Sequence, residues 1–411
     1  MKLSTVPTIT LDPSHTDPEL IGVNGQFANL GGVFGSRPFA FHPTQNSAIV
    51  VGDNKTFVFY LGDDYDIWCI VKNNLTGVWS SAIEVADGHT SSDSHNYCSA
   101  IIDSSGYIHI FFGCHNSDLY YQKSTNTYDV SAWSVEASLD AFATYPQSSI
   151  DSAGIIYLFY RGSVDATGKG RYCKLRTSDD GGSTWAAATT IVDSGDDGIW
   201  VYAGVTGIGS DDSIHLIFTL RTSAGADDPS EFTNIYYAKS VNGGAAWTES
   251  DDTGYELPIS GATAEVIYAG SYVFPGHINL DGSNNPQGVY VLSPATSYFF
   301  LNEIHYVYLS EGVWQDDTLT SSAYDVCHHI LINGTNFYII GSKYVNGKYK
   351  IYVIYSSDSG ANWTEYPITH DSSLSNIYPV VNYGMENGIN VCWSVVKNIY
   401  YGDNSYILDK L

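Results

Sequence analysis

Residues 96–124 read NYCSAIIDSSGYIHIFFGCHNSDLYYQKS: a short apolar run, a turn of Asp, Ser and Gly, a strongly apolar run, then a run mixing polar and aromatic residues. The same order returns in YPQSSIDSAGIIYLFYRGS (145–163) with RYCKLRTSDDGGSTW (171–185), and in GVTGIGSDDSIHLIFTL (204–220) with NIYYAKSVNGGAAW (234–247). AIVVGDNKTFVFYLGDDYDIWCIVKNN (48–74) precedes them, and weaker copies follow at Phe274 to Trp314, Asp325 to Trp363 and Tyr378 to Tyr401. That makes seven copies. A period of about 50 to 60 residues marks a repeat architecture, in which each unit buries its faces only against its neighbours.

Within the copies, the second run (YIHIFF at 107–112, IIYLFY at 155–160, SIHLIF at 213–218, TFVFYL at 56–61) is too continuously apolar for a sheet with one wet face. It needs cover on both sides, which blades stacked around an axis provide. The composition agrees: 33 Tyr and 39 Gly against 2 Met favour short strands and tight turns over helices. The expected fold is all-β, a seven-bladed β-propeller of four-stranded antiparallel blades. It forms one domain over residues 1–411, with the N-terminal segment supplying a strand to the last blade.

Three turns, TSDDGGSTW (177–185), KSVNGGAAW (239–247) and SSDSGANW (356–363), look like the Asp-box hairpin of sialidase-type propellers. The Asp or Asn caps backbone N–H groups, the Gly takes a positive φ, and the Trp packs beneath. Such turns sit on an outer rim, so they speak for the fold and not for activity.

The formal net charge is -27, from 17 basic and 44 acidic residues, which argues against nucleic acid or an anionic membrane as a partner. The six cysteines are widely spaced in a chain large enough to bury a core, so no disulfide framework is implied. Cys98 and Cys114 are the one pair to consider, and buried small hydrophobes are the plainer reading. The start, MKLSTVPTITLDPS, lacks a signal-peptide apolar core, and no run approaches a membrane span. A monomer acting in an extracellular or periplasmic setting is expected.

Propeller sites gather near the axis, where inner strands begin and where loops after second strands return. Register places Tyr97 and Tyr145 at equivalent inner-strand starts, with His95 two residues before Tyr97. His115 and Arg161 both follow second strands. Singly, each has an ordinary explanation as a hydrogen-bonded or surface residue. Together they bring two imidazoles, a phenol and a guanidinium to one pocket. The chain has only five arginines (Arg37, Arg161, Arg171, Arg176 and Arg221), and one placed directly after an apolar strand points to a carboxylate partner. Arg221, after the fourth copy's second strand, is a further candidate for that pocket. His109 and His215 recur at matching positions inside second strands and read as structural. A second constellation joins His277 and His329, at the same inner-strand position of adjacent blades, with Cys327 two residues before His329. Three N/S ligands suit a structural zinc, and a hydrogen-bonded histidine pair beside a buried thiol suits the pattern equally.

DSHNYCSAIIDSSGYIHIFFGCH (93–115), followed by TYPQSSIDSAGIIYLFYRG (144–162), resembles the BNR-type propeller of ulvan lyases, especially polysaccharide lyase family 25 and its relative family 24. In those enzymes a His opens one blade, a second His follows its next strand, and the following blade supplies a Tyr and then an Arg. The matching positions are His95, His115, Tyr145 and Arg161, and the match is specific across these two blades and architectural elsewhere. The interval from His115 to Tyr145 is shorter than in family 25, which implies a divergent branch with another uronate-containing substrate. The resemblance implies β-elimination on an anionic polysaccharide, without an organic cofactor. Arg161 would offset the uronate charge, and His95, His115 and Tyr145 would serve as base and acid. Tyr97 and Arg221 would bind substrate. A structural zinc is implied as well, with no ligand transferred.

Two rivals remain at this level. A glycoside hydrolase of sialidase type needs three clustered arginines, hard to assemble from five; a rhamnosidase using a single His on a related scaffold is harder to set aside. A non-catalytic carbohydrate-binding propeller would use the abundant Tyr and Trp as stacking platforms. Only a lyase generates an unsaturated, ultraviolet-absorbing uronate.

Overall fold

The computed structural model describes residues 48–61, 65–89, 95, 97–113, 115–164, 170–196, 198–222, 229–293, 302–367, 375–381 and 391–396. They form antiparallel strands and one short 3-10 turn, Pro229–Glu231. Among them no helix is long and apolar enough to cross a membrane. The expected N-terminal closing strand lies outside the described residues.

Among the described residues, six repeats fold as four-stranded antiparallel meanders. The first holds Ile49–Gly52, Lys55–Leu61, Ile67–Asn73 and Ile83–Ala86. The second and third share one sheet: Ser99–Ile102, Ile108–Phe112 and Ser117–Lys123, then the long strand Ala137–Ile150, then Ile156–Gly162, Tyr172–Ser178 and Thr189–Val192. The front of Ala137–Ile150 pairs with Ser117–Lys123 as the outer strand of the second unit, and its back pairs with Ile156–Gly162 as the inner strand of the third. The fourth unit is Ile199–Ala203 with Gly207–Ile208, Ile214–Thr222, Phe232–Ser240 and Glu265–Ser271. A second shared sheet joins the fifth (Val273–Leu280, Pro286–Leu292, Asn302–Ser310) to the sixth (Asn336–Val345, Lys348–Ser356, Thr364–Pro367) through Val313–Asn333. Ser375–Val381 and Val391–Val396 pair as a two-stranded sheet.

The second strands are buried nearly throughout, as their unbroken apolar runs demand: Ile108–Phe112 and Ile156–Gly162 have every residue buried. Residues of adjacent units interleave in shared cores, such as Tyr157, Phe159 and Leu175 of the third unit with Leu216, Phe218 and Trp247 of the fourth. Polar bonds sew successive units together. Ser99 Oγ meets Ser148 Oγ at 2.7 Å between the second and third, and the Thr206 amide donates to Gln147 Oε1 at 3.3 Å between the third and fourth. The Val205 and Ile278 amides donate to Gly276 O and Val205 O across the fourth and fifth, and the Ile330 amide donates to His277 Nδ1 at 3.2 Å across the fifth and sixth. His329 Nε2 lies 3.1 Å from the Pro379 carbonyl, joining the sixth unit to the final strand pair.

The three Asp-box turns share one geometry. Asp180, Asn242 and Asp358 accept from the amides of Thr184, Ala246 and Asn362, all at 2.8 Å. Gly182, Gly244 and Gly360 donate to the Oγ of Ser178, Ser240 and Ser356, all at 2.9 Å, with φ between 83° and 86°. Each of these turns packs on the preceding unit: a Cβ on Gly182 would lie 1.8 Å from the Tyr121 hydroxyl oxygen, one on Gly244 2.4 Å from Leu175, and one on Gly360 2.6 Å from the Tyr306 hydroxyl. Tyr121 cannot swing aside freely, because its hydroxyl is held by His109 Nδ1 at 2.8 Å.

Gly182→Ala therefore combines left-handed strain with overpacking and is expected to lose about 2 to 5 kcal/mol in urea unfolding. Gly154→Ala, at φ 86° with nothing within 4 Å, should lose only about 1 to 2 kcal/mol. Equal losses would show that the seam under Gly182 is loose.

Candidate functional site

Tyr145 sits where the strand Ala137–Ile150 exchanges partners. The pairing slips between Thr144 and Gln147, and Tyr145 takes φ 58°, a left-handed conformation that a bulky residue adopts only where its surroundings enforce it. The loop carrying His115 supplies that enforcement. The Asn116 amide donates to Ala143 O at 2.8 Å and Thr144 Oγ1 at 3.1 Å, while Ser163 Oγ donates to Asn116 Oδ1 at 3.3 Å and to Phe142 O at 2.7 Å.

Arg161 stands opposite Thr144 in the neighbouring strand. Its guanidinium carbon lies 4.5 Å from the Tyr145 ring centre and 5.1 Å from that of Tyr202, and the two rings are 6.3 Å apart. The cation is thus clasped between two phenols. All three guanidinium nitrogens are buried and have no hydrogen-bond partner among the described residues. Five donors on a buried, permanent charge are costly to leave unused, so this arrangement points to a ligand carrying a matching anion. Tyr145, Gln147, Tyr160, Arg161, Tyr172 and Tyr202 help line a small cleft there.

His95 and His115 stack at 4.0 Å with planes 19° apart, and His95 lies 6.2 Å from the Tyr145 ring. His95 is buried and His115 half-buried. The imidazoles are not part of the cleft lining and reach it through Tyr145. The structure therefore brings the four sequence candidates into one contiguous group, with Tyr145 in the middle. Tyr97 is buried in the same aromatic cluster as Tyr145 and Tyr202.

The sequence reading missed Tyr202, Arg171 and Trp200. Arg171 lies 3.5 Å above the Trp200 ring, and its Nη1 donates to the Tyr202 hydroxyl at 3.5 Å. Burial, with the Arg161 charge beside it, lowers Arg171 to about 10. Burial pushes the Tyr202 phenol up, but the charges of Arg161, Arg171 and Arg221 outweigh it and the net shift is downward. The register that equates Tyr97 with Tyr145, five residues before Ile102 and Ile150, falls on Ala203 in the fourth unit, one residue past Tyr202, so alignment of the repeats gave no signal for it. Arg221 reaches this neighbourhood, 5.1 Å from both Trp200 and Phe232, but its Nε is bound to buried Glu231 at 3.0 Å. It is not an open anion receptor in the way Arg161 is.

His277 and His329 sit edge to face at 6.2 Å, both buried. The Cys327 side chain lies outside the described residues, and among those described no three or more His, Cys, Asp or Glu side chains converge as a metal site. Cys69, Cys98 and Cys173 are buried free thiols, with Cys98 and Cys173 pushed up by burial to about 12; Cys114 lies outside the described residues. His109 bridges the Tyr121 hydroxyl and Asp103, and His215 bridges the Tyr237 hydroxyl and Ser213, so both are satisfied inside the units.

A family model described as "BNR repeat-containing family member" matches residues 55–322. A 139-residue stretch is 30% identical to an ulvan lyase of family PL25 from Pseudoalteromonas sp. (strain PLSV), covering 28% of this chain and 28% of that relative. The match thus spans little more than a quarter of the curated relative's length. A solved structure of a PL25 ulvan lyase superposes with a TM-score of 0.73 at 18% identity, covering 89% of this chain and 93% of its own. Another, of such an enzyme bound to -[GlcA(1-4)Rha3S]-, gives 0.71 at 18% identity, covering 84% and 88%. At that identity the likeness is one of fold.

Burial lowers His109, His215 and His329 to about 4 and holds His277 well below the ordinary imidazole value. The unfolded chain then takes up protons between about pH 6.5 and 4 that the folded chain refuses, so stability should fall as pH drops through that window, by up to about 3 kcal/mol per ring. Urea midpoints at several pH values test this, and a flat profile from pH 7 to 4 would contradict it.

Proposed function

The chain belongs to the BNR repeat-containing family, and we propose that it is a polysaccharide lyase cleaving a uronate-containing, ulvan-like polysaccharide by β-elimination. The observation that carries the proposal is Arg161: a buried guanidinium with unused donors, set between two phenols at a cleft. A uronate carboxylate fits it by bidentate pairing. Neutralising that carboxylate makes H5 more acidic, because charge developing on the enolate is met by a cation already in place. H5 then passes to the Tyr145, His95 and His115 group, the C4–O4 bond breaks as the C4–C5 double bond forms, and the departing O4 takes a proton from the same group. Tyr97 and Arg221 support the pocket around the sugar. The net charge of -27 repels such a substrate at long range, but salt screens that field beyond about 8 Å and leaves the local cation effective.

The architecture that fits this reading is a closed seven-bladed propeller over residues 1–411, acting as a monomer. It is supported by six four-stranded units, the terminal strand pair and the polar seam between successive units. An extracellular or periplasmic setting follows from where such a polysaccharide is met. A structural zinc at His277, Cys327 and His329 is part of the proposal. Burial keeps both imidazoles neutral, the state a ligand needs, and they come from adjacent units that a metal would tie together. Zinc on His277 Nε2 would have to displace the Ile330 amide from Nδ1, since a ring ligating through one nitrogen carries its proton on the other.

Arg161→Ala and Tyr145→Phe should each lower formation of unsaturated uronate by about 10² to 10⁴, and His115→Ala should remove most of it, with circular dichroism unchanged. Full activity in any of the three refutes its role, and reducing ends without ultraviolet absorbance would mean a hydrolase. Metal analysis of protein purified without added zinc should find one equivalent, and chelation should lower Tm; metal-free protein of unchanged Tm would remove the zinc.

A further inference from the structure

Three guanidiniums surround Tyr202. Arg161 of the third unit's second strand faces its ring at 5.1 Å, Arg171, just before the next strand, donates to its hydroxyl, and Arg221 of the fourth unit's second strand adds its charge. Also around it are the Tyr145 phenol, the Phe232 ring 5.2 Å away, and Glu231, which acts through Arg221, itself a hydrogen-bond partner of the Tyr202 phenol. Trp200 is the shelf for Arg171 at 3.5 Å. The ladder Trp200, Arg171, Tyr202, Arg161, Tyr145 thus alternates cations with rings. Tyr145 and Tyr202 clasp the same guanidinium, and the hydrogen bond from Arg171 goes to Tyr202.

We propose that Arg171 and Tyr202 are positioning residues that act through Arg161: Tyr202, held by Arg171, competes with the substrate carboxylate for Arg161 once its phenol is ionised, and gives way to it by taking up a proton. This rests on the reading of Arg161 as the uronate receptor. The downward shift of the buried Tyr202 phenol is in keeping with it. The sign follows from charge. With Tyr202 neutral, Arg161 has its full attraction for a carboxylate. With Tyr202 ionised, part of that attraction is offset and the incoming anion is held less tightly. Uronate affinity therefore falls as pH rises through the Tyr202 titration, binding above that point consumes a proton, and the loss appears in KM while kcat changes far less. Removing the Arg171 charge raises the Tyr202 pKa and moves the loss of affinity to higher pH. One pKa unit corresponds to about 10-fold in affinity at a fixed pH above the limb.

The test uses the full chain labelled with ζ-13C tyrosine and a saturated glucuronate–rhamnose tetrasaccharide. In wild type, one tyrosine should titrate below the rest, vanish in Tyr202→Phe and move up in Arg171→Met by about one unit. The rise of KM with pH should move by the same amount in Arg171→Met and stay near wild type in Arg171→Lys, which keeps the charge. Calorimetry of the tetrasaccharide on the Tyr145→Phe variant, in buffers of different ionisation enthalpy, should register proton uptake that Tyr202→Phe abolishes. A Tyr202 resonance that titrates with the other tyrosines, or is unmoved in Arg171→Met, overturns the proposal. Should Arg171→Met fail to fold, the Arg171→Lys and Tyr202→Phe titrations decide it. Absence of elimination on any uronate polymer would sink the lyase reading, while the tyrosine titration still judges this pair.

Discussion

A strand that is apolar on both faces has to be covered twice, and that requirement organises the molecule. Ile108–Phe112 and Ile156–Gly162 bury every residue, and a lone meander of four strands offers cover on neither side. Neighbouring units supply it, and the contact has to be kept in register. Asp-box glycines that tolerate no Cβ do so at three of the turns, and single polar bonds do so between units. His277 and His329 belong to that polar seam whether or not a metal joins them.

The same geometry makes a site from residues that have nothing local in common. A loop following one buried strand carries His115, and the strand buried in the next unit carries Arg161. Tyr145 is turned between them at a slip in pairing, held there by Asn116 and Ser163. The strain stored at Tyr145 is thus opposed by hydrogen bonds from both flanking loops, and the buried Arg161 charge is left facing a cleft.

Much of this was legible in the sequence because the repeat exposes equivalent positions. Once the second strands are aligned, His115 and Arg161 appear at their ends, and His109 and His215 fall into place as satisfied partners of Tyr121 and Tyr237. What stayed hidden depends on three dimensions. Nothing in the sequence says that Arg171, ten residues past Arg161, folds back over Trp200 to meet Tyr202, or that Glu231 spends one nitrogen of Arg221. Nor does alternation of polar and apolar residues reveal a φ of 58° at Tyr145.

The long strand Ala137–Ile150 belongs to two units at once. Its two ladders meet at Ala143, which pairs with both Ser117 and Gly162, so no linker separates those units. The spacing between the imidazoles on one side and the guanidinium on the other is therefore set by a single junction residue before a ligand arrives. Adaptation to a new ligand would then fall to the borders with separate sheets, where units one and four meet this fused pair, and sequence divergence should be read there first.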